Sequence, residues 1–403
     1  MFPDHLAHPT ILPLPVALPP ATITRPVATE TIGALHLVNG EHYAGAERVQ
    51  DLLAQRLPEL GYSVGFVCVK PGSFDAMRTS RDAPLWNVPM LGKFDLRAGW
   101  QVARLVRRHG YRLLHAHTVR TALFGSIASA LAEVPLVYHV HSPTARNHTG
   151  GWRDRVNAAV ERMSLRRAAR IIAVSEAMGE HIVGQGLDPD RVTVVPNGVP
   201  QLESLPARPR PAGSWTLGMV ALFRPRKGVE VLLEAIALLH RYGLPVQLNA
   251  VGQFESPRYE AEIKTLVDRL NLNERIHWTG FRHDVAAELR RMDLLALPSL
   301  FGEGLPMVVL EAMAAGVPVV ATRVEGVPEA IRHGIDGVLA RAGDAEDLAR
   351  AIADVIAGRY DWSALRRSAR ARQVRLFSDR SMATGVARVY NGLFAAGPHV
   401  DRQ

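Results

Sequence analysis

From about residue 32 the chain alternates short β-rich runs with segments of helical period, and no other feature limits its fold as much. Ile32–Val38, Ser63–Val69, Leu113–His117, Leu136–Val140, Ile171–Val174 and Val192–Val195 read as strands, with helical segments such as Ala46–Leu57, Ala98–Arg108 and Trp152–Ala168 between them. Strands separated by helices predict βαβ units and a parallel sheet. Pro200–Gly213 is rich in proline and has no apolar period, so it reads as a linker. A second α/β series follows, with strands at Trp215–Ala221, Val246–Val251, Ile276–Trp278, Leu294–Leu297 and Val317–Val320. Its helices fall near Gly228–His240, Tyr259–Leu270 and Leu305–Ala315, and Ser381–Ala396 reads as a last amphipathic helix. A chain of 403 residues is too long for one ordinary core. The expected layout is a tail over 1–30, an N-terminal domain over 31–199, a linker over 200–213 and a C-terminal domain over 214–380, with a cleft between the two sets of strand ends.

Composition removes several classes. The chain is 47% hydrophobic and 21% charged, an ordinary balance for a folded protein. Cys68 is the only cysteine, which excludes a disulfide framework, and its apolar surroundings suit a small core residue. No apolar stretch reaches the ~18 residues of a membrane span. The first residues are apolar but interrupted by prolines and carry no positive leader, so an extended, disordered tail is expected rather than a signal peptide, and a cytoplasmic location. A formal charge of +8 suits anionic partners, from nucleotide phosphates to nucleic acid or acidic lipid.

Leu297–Ala321 carries the most chemistry. It places Glu303 and Glu311 across the junction of a Gly/Pro loop and an apolar helix, between two strand runs. Loops at the carboxyl ends of strands are where open α/β sheets bind ligands, and the amides of a helix N-terminus suit hydroxyls or phosphate. Glu303, between Gly302 and Gly304, can line a pocket. Glu311 sits in MVVLEAMAA and needs a partner, either ribose hydroxyls or an arginine. Arg224 and Lys227 open another helix after a strand, where two cations and a helix dipole suit a diphosphate, or else form a solvated turn. Arg226 could take the place of Arg224 in this short loop. Gly45 follows the first strand and opens the first helix, and Asp284 reads as a helix cap in GFRHD. His115, His117, His139 and His141 form two i, i+2 pairs on strand ends. Four imidazoles could bind zinc, but strand-end histidines more often hydrogen-bond within the core or rim. Asp188-Pro189-Asp190 has the spacing of a metal-holding D-x-D pair, yet Asp-Pro between helix and strand is turn chemistry.

Taken together, the E-x7-E segment around Glu303 and Glu311, the Arg224–Gly228 loop, Gly280–Asp284, the Gly45-Ala46-Glu47 turn and Pro196-Asn197-Gly198-Val199 resemble the retaining glycosyltransferases of family 4 (GT4). The resemblance spans roughly residues 32–395. It implies a GT-B fold, two Rossmann-like domains facing each other across a cleft, with the last helix returning to the N-terminal domain. It implies that Arg224 and Lys227 stabilise a leaving diphosphate, Glu303 contacts the donor sugar, Glu311 the ribose, and His141 a sugar hydroxyl or the acceptor. Gly45, Arg282, Gly302, Gly304 and Leu305 complete the implied donor site. The donor would be a UDP- or GDP-sugar, with no cofactor and no metal, and the acceptor a saccharide or lipid-linked hydroxyl in polysaccharide or glycolipid synthesis. The arginine-rich stretches Lys93–Arg112 and Trp152–Arg170 read first as solvated faces and secondly as peripheral docking on anionic membrane. A glycoside hydrolase pairing Glu303 with Glu311, a phosphorylase-like GT-B enzyme, and a non-catalytic GT-B scaffold or nucleic-acid binder are the competing readings. The arginine runs lack interleaved aromatics, so no nucleic-acid partner is expected.

Overall fold

The computed structural model describes residues 31–90, 92, 95–142, 163, 165–202, 208–244 and 246–395. The expected tail, the middle of the linker and most of the expected helix Trp152–Ala168, with Arg153, Arg155 and Arg162, lie outside the described residues.

Two parallel sheets carry the fold. The first contains β1 (Ile32–Val38), β2 (Tyr62–Cys68), β3 (Leu85–Asn87), β4 (Leu113–Ala116), β5 (Leu136–Val140), β6 (Arg170–Ala173) and β7 (Val192–Val194). Their order is β3-β2-β1-β4-β5-β6-β7. The second contains β8 (Trp215–Val220), β9 (Val246–Val251), β10 (Ile276–Gly280), β11 (Leu294–Leu297), β12 (Val319–Thr322) and β13 (Val338–Ala340), in the order β10-β9-β8-β11-β12-β13. The central strands are buried along their length, which is why they read as unbroken apolar runs rather than alternating ones. Strand order reverses between β1 and β4 and again between β8 and β11. Crevices beyond the carboxyl ends of strands at such reversals are the ligand sites of open α/β sheets.

Helices α1 (Gly45–Arg56), α2 (Ser73–Met77), α3 (Leu96–His109), α4 (Val119–Ala132) and α5 (Glu176–Gly184) serve the first sheet. The second carries α6 (Val229–Arg241), α7 (Pro257–Arg269), α8 (Val285–Arg290), α9 (Met307–Ala314), α10 (Val327–Ala330), α11 (Ala345–Ile356) and α12 (Trp362–Leu376). Short polar side chains start many of them: Thr118, Ser175, Ser256, Asp284, Asp344 and Asp361 each accept an amide of the following turn. Asp188 does the same for the single 3-10 turn Pro189–Arg191, taking the Asp190 amide at 3.0 Å.

The last helix, α13 (Asp379–Ala395), lies against the first sheet. Arg56 Nε holds Asp379 at 2.6 Å, Tyr62 donates to Asn391, and the Tyr390 hydroxyl sits between His36 and His115. The two crossings of the chain between sheets run side by side, joined by a bridge from Val199 to Ser378. Two differences from the expected elements have clear causes. β12 begins at Val319 rather than Val317, because Pro318 has no N–H for the ladder and contributes only its carbonyl, to Leu295 at 2.9 Å. Helix α4 gave no periodic signal because VRTALFGSIASALA is apolar on nearly every face. No helix among the described residues is long and apolar enough to cross a membrane.

Candidate active site

The loop after β8 and the loop after β11 meet at the second reversal point. Pro225–Lys227 forms a 3-10 turn, preceded by the extended Arg224, that hands over to α6 at Gly228. Gly228 has a φ of 65°, and a Cβ there would stand 2.1 Å from the Pro298 carbonyl. Only glycine lets the two loops approach so closely. The Leu300 amide then donates to the Arg226 carbonyl at 2.8 Å and ties them together.

At their junction the Glu303 carboxylate is buried and ion-paired with Lys227 Nζ, also accepts from the Ser299 hydroxyl at 2.6 Å, and has Arg226 Nη1 at 3.8 Å. Burial alone would push the Glu303 carboxyl up; the Lys227 and Arg226 charges, with the Ser299 hydroxyl, outweigh it and hold it below its ordinary range. Burial likewise draws the Lys227 ammonium down, and Glu303 opposes that shift. Arg226 also donates to the Gly302 carbonyl at 3.0 Å. Arg224 points elsewhere, with Nη1 3.5 Å from Glu255. The cation beside Lys227 on Glu303 is therefore Arg226, while Arg224 stands at the outer edge of the same turn.

Glu325, absent from the sequence reading, shapes the loop from below. Its carboxylate accepts the Gly302 amide at 2.9 Å and the Glu303 amide at 3.1 Å. The amides of Gly304, Leu305 and Met307 have no acceptor among the described residues, and they lie at and just before the start of α9. Leu305 itself is buried, its carbonyl taken by Asn197 Nδ2 at 2.9 Å. A helix N-terminus with free amides beside two cations is suited to an anionic, hydroxyl-rich ligand.

The first sheet closes on this surface. Gly45, at the start of α1, faces α9, with its Cβ direction 3.7 Å from Met307. From the same helix Arg48 Nε reaches Glu311 at 2.8 Å, so Glu311 is paired to an arginine in this state. Burial pushes the Glu311 carboxyl up, against the pull of Arg48. Glu329, at α10, accepts the Glu176 and Ala177 amides at 2.8 and 2.9 Å and so caps α5 of the other half. His141, at the end of β5, presents its carbonyl to Gly304 and its ring to His117, with Nε2 2.9 Å from His117 Nδ1. Burial among neighbouring rings lowers the His141 imidazole to about 3, so it is a neutral hydrogen-bonding group at pH 7. Arg48→Met is expected to cost about 2 kcal/mol, because it leaves Glu311 without its cation in a mostly buried position. Adding Glu311→Gln should recover most of that loss in urea unfolding; an unchanged midpoint in the single variant would show that the pair contributes nothing.

Arg282 is not part of this constellation. It lies 3.7 Å from Glu288 and lines a separate cavity of about 550 Å³ with Asn249 and Thr279. Asp284 is the cap of α8. Besides Glu325, the sequence reading missed Arg48 and Glu329, and it named Asn197 only within the Pro196–Val199 turn, without its hydrogen bond to Leu305.

The first sheet's residues 43–201 match the family model Glycosyltransferase Family 4, and residues 215–358 match Glycosyl transferases group 1. A glycogen synthase of Mycobacterium tuberculosis is 30% identical over 326 residues, 77% of this chain and 76% of that protein. The chain belongs to glycosyltransferase family 4. A second relative, the phosphatidyl-myo-inositol mannosyltransferase of Mycobacterium leprae, is 29% identical over 308 residues, covering 72% of this chain and 76% of its own. Among solved structures, Anabaena HepE in complex with UDP-glucose superposes with a TM-score of 0.78 at 25% identity, over 90% of this chain and all of HepE. The two Rossmann-like sheets of this GT4 chain are thus the GT-B fold, and nucleotide-sugar transfer is its general activity.

Proposed function

We propose that the protein is a retaining glycosyltransferase that moves a hexose from a UDP- or GDP-sugar to an acceptor hydroxyl without a divalent metal at the diphosphate. The observation that carries this reading is the pairing of Lys227, with Arg226 beside it, onto Glu303 at the free amides of the α9 start. In the reaction the diphosphate enters between these cations and the α9 amides. Negative charge grows on its leaving oxygen as the glycosidic bond breaks, and Lys227, Arg226 and Arg224 stabilise that charge in place of a metal ion. Glu303, freed from part of its contact with Lys227, accepts hydroxyls of the donor sugar. Glu311 exchanges Arg48 for ribose hydroxyls. The acceptor oxygen attacks from the same face that the leaving group departs, and the leaving phosphate oxygen takes its proton, so configuration is kept. Neutral His141 accepts or donates one hydrogen bond to the sugar or acceptor. Arg282 lies outside this scheme and belongs to the base side at most.

HepE was solved with UDP-glucose, which favours a UDP-sugar here. The exposed arginines of α3, with Trp100 exposed among them, favour a lipid-linked acceptor held at an anionic surface on the cytoplasmic side. The paired environments of Glu303 and Glu311 argue against hydrolysis, since each carboxylate answers to its own cation rather than to one shared bond.

Thermal unfolding with UDP, GDP, ADP and their glucose and mannose conjugates tests the proposal. One nucleotide series is expected to raise Tm by several degrees at saturating concentration, since ligand at about 100 times Kd stabilises by about 2.7 kcal/mol. Product analysis by NMR should then show an axial anomeric linkage from an axial donor. No stabilisation by any nucleotide diphosphate, or an inverted linkage, would remove the reading.

A further inference from the structure

Four buried imidazoles, with the half-buried His141 beside them, meet at the carboxyl ends of β1, β4 and β5. His36 and His115 are neighbours across the β1–β4 register, and His117 lies beyond them at the end of β4. Ring centroids are 4.6 Å apart for His36 and His115, 4.2 Å for His115 and His117, and 5.3 Å for His36 and His117. The first two rings are fully buried and His117 is nearly so. Each of the three offers a nitrogen within 4.8 Å of the others.

Hydrogen-bond accounting leaves this group short of partners. Tyr390 Oη lies 3.1 Å from His36 Nε2 and 2.6 Å from His115 Nδ1. A phenol carries one hydrogen, so at least one of these rings donates to it and must present a bare lone pair at its other nitrogen. Those other nitrogens, His36 Nδ1 and His115 Nε2, have no partner among the described residues, and neither has His117 Nε2. An orphaned buried polar atom is destabilising. Three imidazoles that each bring a nitrogen within 4.8 Å of the others are the kind of ligand set a zinc-type ion uses, which takes three histidines and keeps a fourth position for water. Tyr390 would fix the tautomer of the ring that donates to it, as outer partners of metal-bound histidines do.

We propose that His36, His115 and His117 form a site for one transition-metal dication of the zinc class, locked by Tyr390 of the returning last helix. In a tetrahedral ion with Zn–N bonds of ~2.0–2.1 Å the nitrogens stand roughly 3.3 Å apart, so the rings must close to that spacing from within 4.8 Å. A second triple, His117, His139 and His141, also brings nitrogens within 4.8 Å. It is less suited, because His141 Nε2 and His117 Nδ1 already occupy each other at 2.9 Å. The site shares no residue with the Lys227–Glu303 pair, and its role is to pin the first sheet to the last helix.

The test uses the full chain, freed of any histidine tag and stripped with a chelator, titrated with Zn2+ and with Co2+. One equivalent per chain is expected, with the intense visible bands of tetrahedral Co2+. His36→Gln and His115→Gln should each weaken binding more than tenfold, and Tyr390→Phe by about tenfold, while His139→Gln leaves it unchanged. Circular dichroism and nucleotide-induced stabilisation report whether each variant is folded. Should the buried substitutions unfold the chain, X-ray absorption of the zinc-loaded wild type decides instead: three imidazole nitrogens near ~2.0 Å support the site, and one or none overturns it. Loss of binding in His139→Gln with retention in His36→Gln, or no saturable binding below micromolar concentration, also overturns it.

Discussion

Lys227→Met is expected to lower turnover by a factor of ~10³ while leaving a folded protein, because it removes the cation nearest the developing charge. Its effect on stability is separable. The buried Glu303 loses its ion-pair partner and keeps Ser299 at 2.6 Å and Arg226 at 3.8 Å, so a cost of about 3 kcal/mol is expected. Lys227→Met with Glu303→Gln should restore most of the stability and none of the turnover. The pH dependence changes as well. In the wild type the Glu303 carboxyl lies below its ordinary value of 4.5, so its contribution is present above that value and fades as pH falls through the lower folded value. With Lys227 gone, burial dominates and raises the carboxyl, so the variant should lose stability as pH rises above 4.5. Urea unfolding at several pH values and initial rates with a nucleotide sugar measure the two halves of this prediction. Wild-type turnover in a folded Lys227→Met protein would sink the role given to this ammonium.

Gly304→Ala should separate donor binding from catalysis. A Cβ at Gly304 would lie 2.2 Å from the His141 carbonyl oxygen and 2.8 Å from Val174, both contributed by the first sheet. The backbone must give way, and what gives is the approach of His141 to the loop that holds Glu303. A displacement near an ångström at a reacting centre costs on the order of 10²-fold in rate. Nucleotide affinity should change by less than about threefold, since Lys227, Arg226 and the α9 amides all belong to the second sheet. Calorimetric titration of UDP, or of whichever nucleotide stabilises the protein, beside kcat measurements tests this. Equal losses in affinity and rate would show that Gly304 serves the donor directly rather than the closure of the two halves.

The fold was legible because parallel strands buried on both faces leave apolar runs, and the loops between them carry glycine, proline and charge. Strand β3 is three residues long and β13 likewise, too short to leave such a run. Within the site, Glu303 and Lys227 were found through their glycine neighbours. Arg48 and Glu329 were not, because each acts across the cleft, and a contact between halves leaves no local spacing to read. The same holds for His36. Its neighbours IGALHLV give an ordinary strand, and only the register with β4 places it against His115. Glu311 shows the limit in the other direction: its need for a partner was plain, but whether ribose or arginine supplied it depended on a helix more than 250 residues away in sequence, where Arg48 stands 2.8 Å from it.

The return of α13 to the first sheet has a consequence for biosynthesis. Tyr390 stands 354 residues after His36, whose ring it holds, and 275 after His115. A ribosome adding residues at roughly 5–20 per second releases the first sheet's sequence many seconds before this phenol exists. Through that interval the histidine end of the sheet is uncovered, and whatever binds imidazole in the cell meets it before the chain's own last helix does.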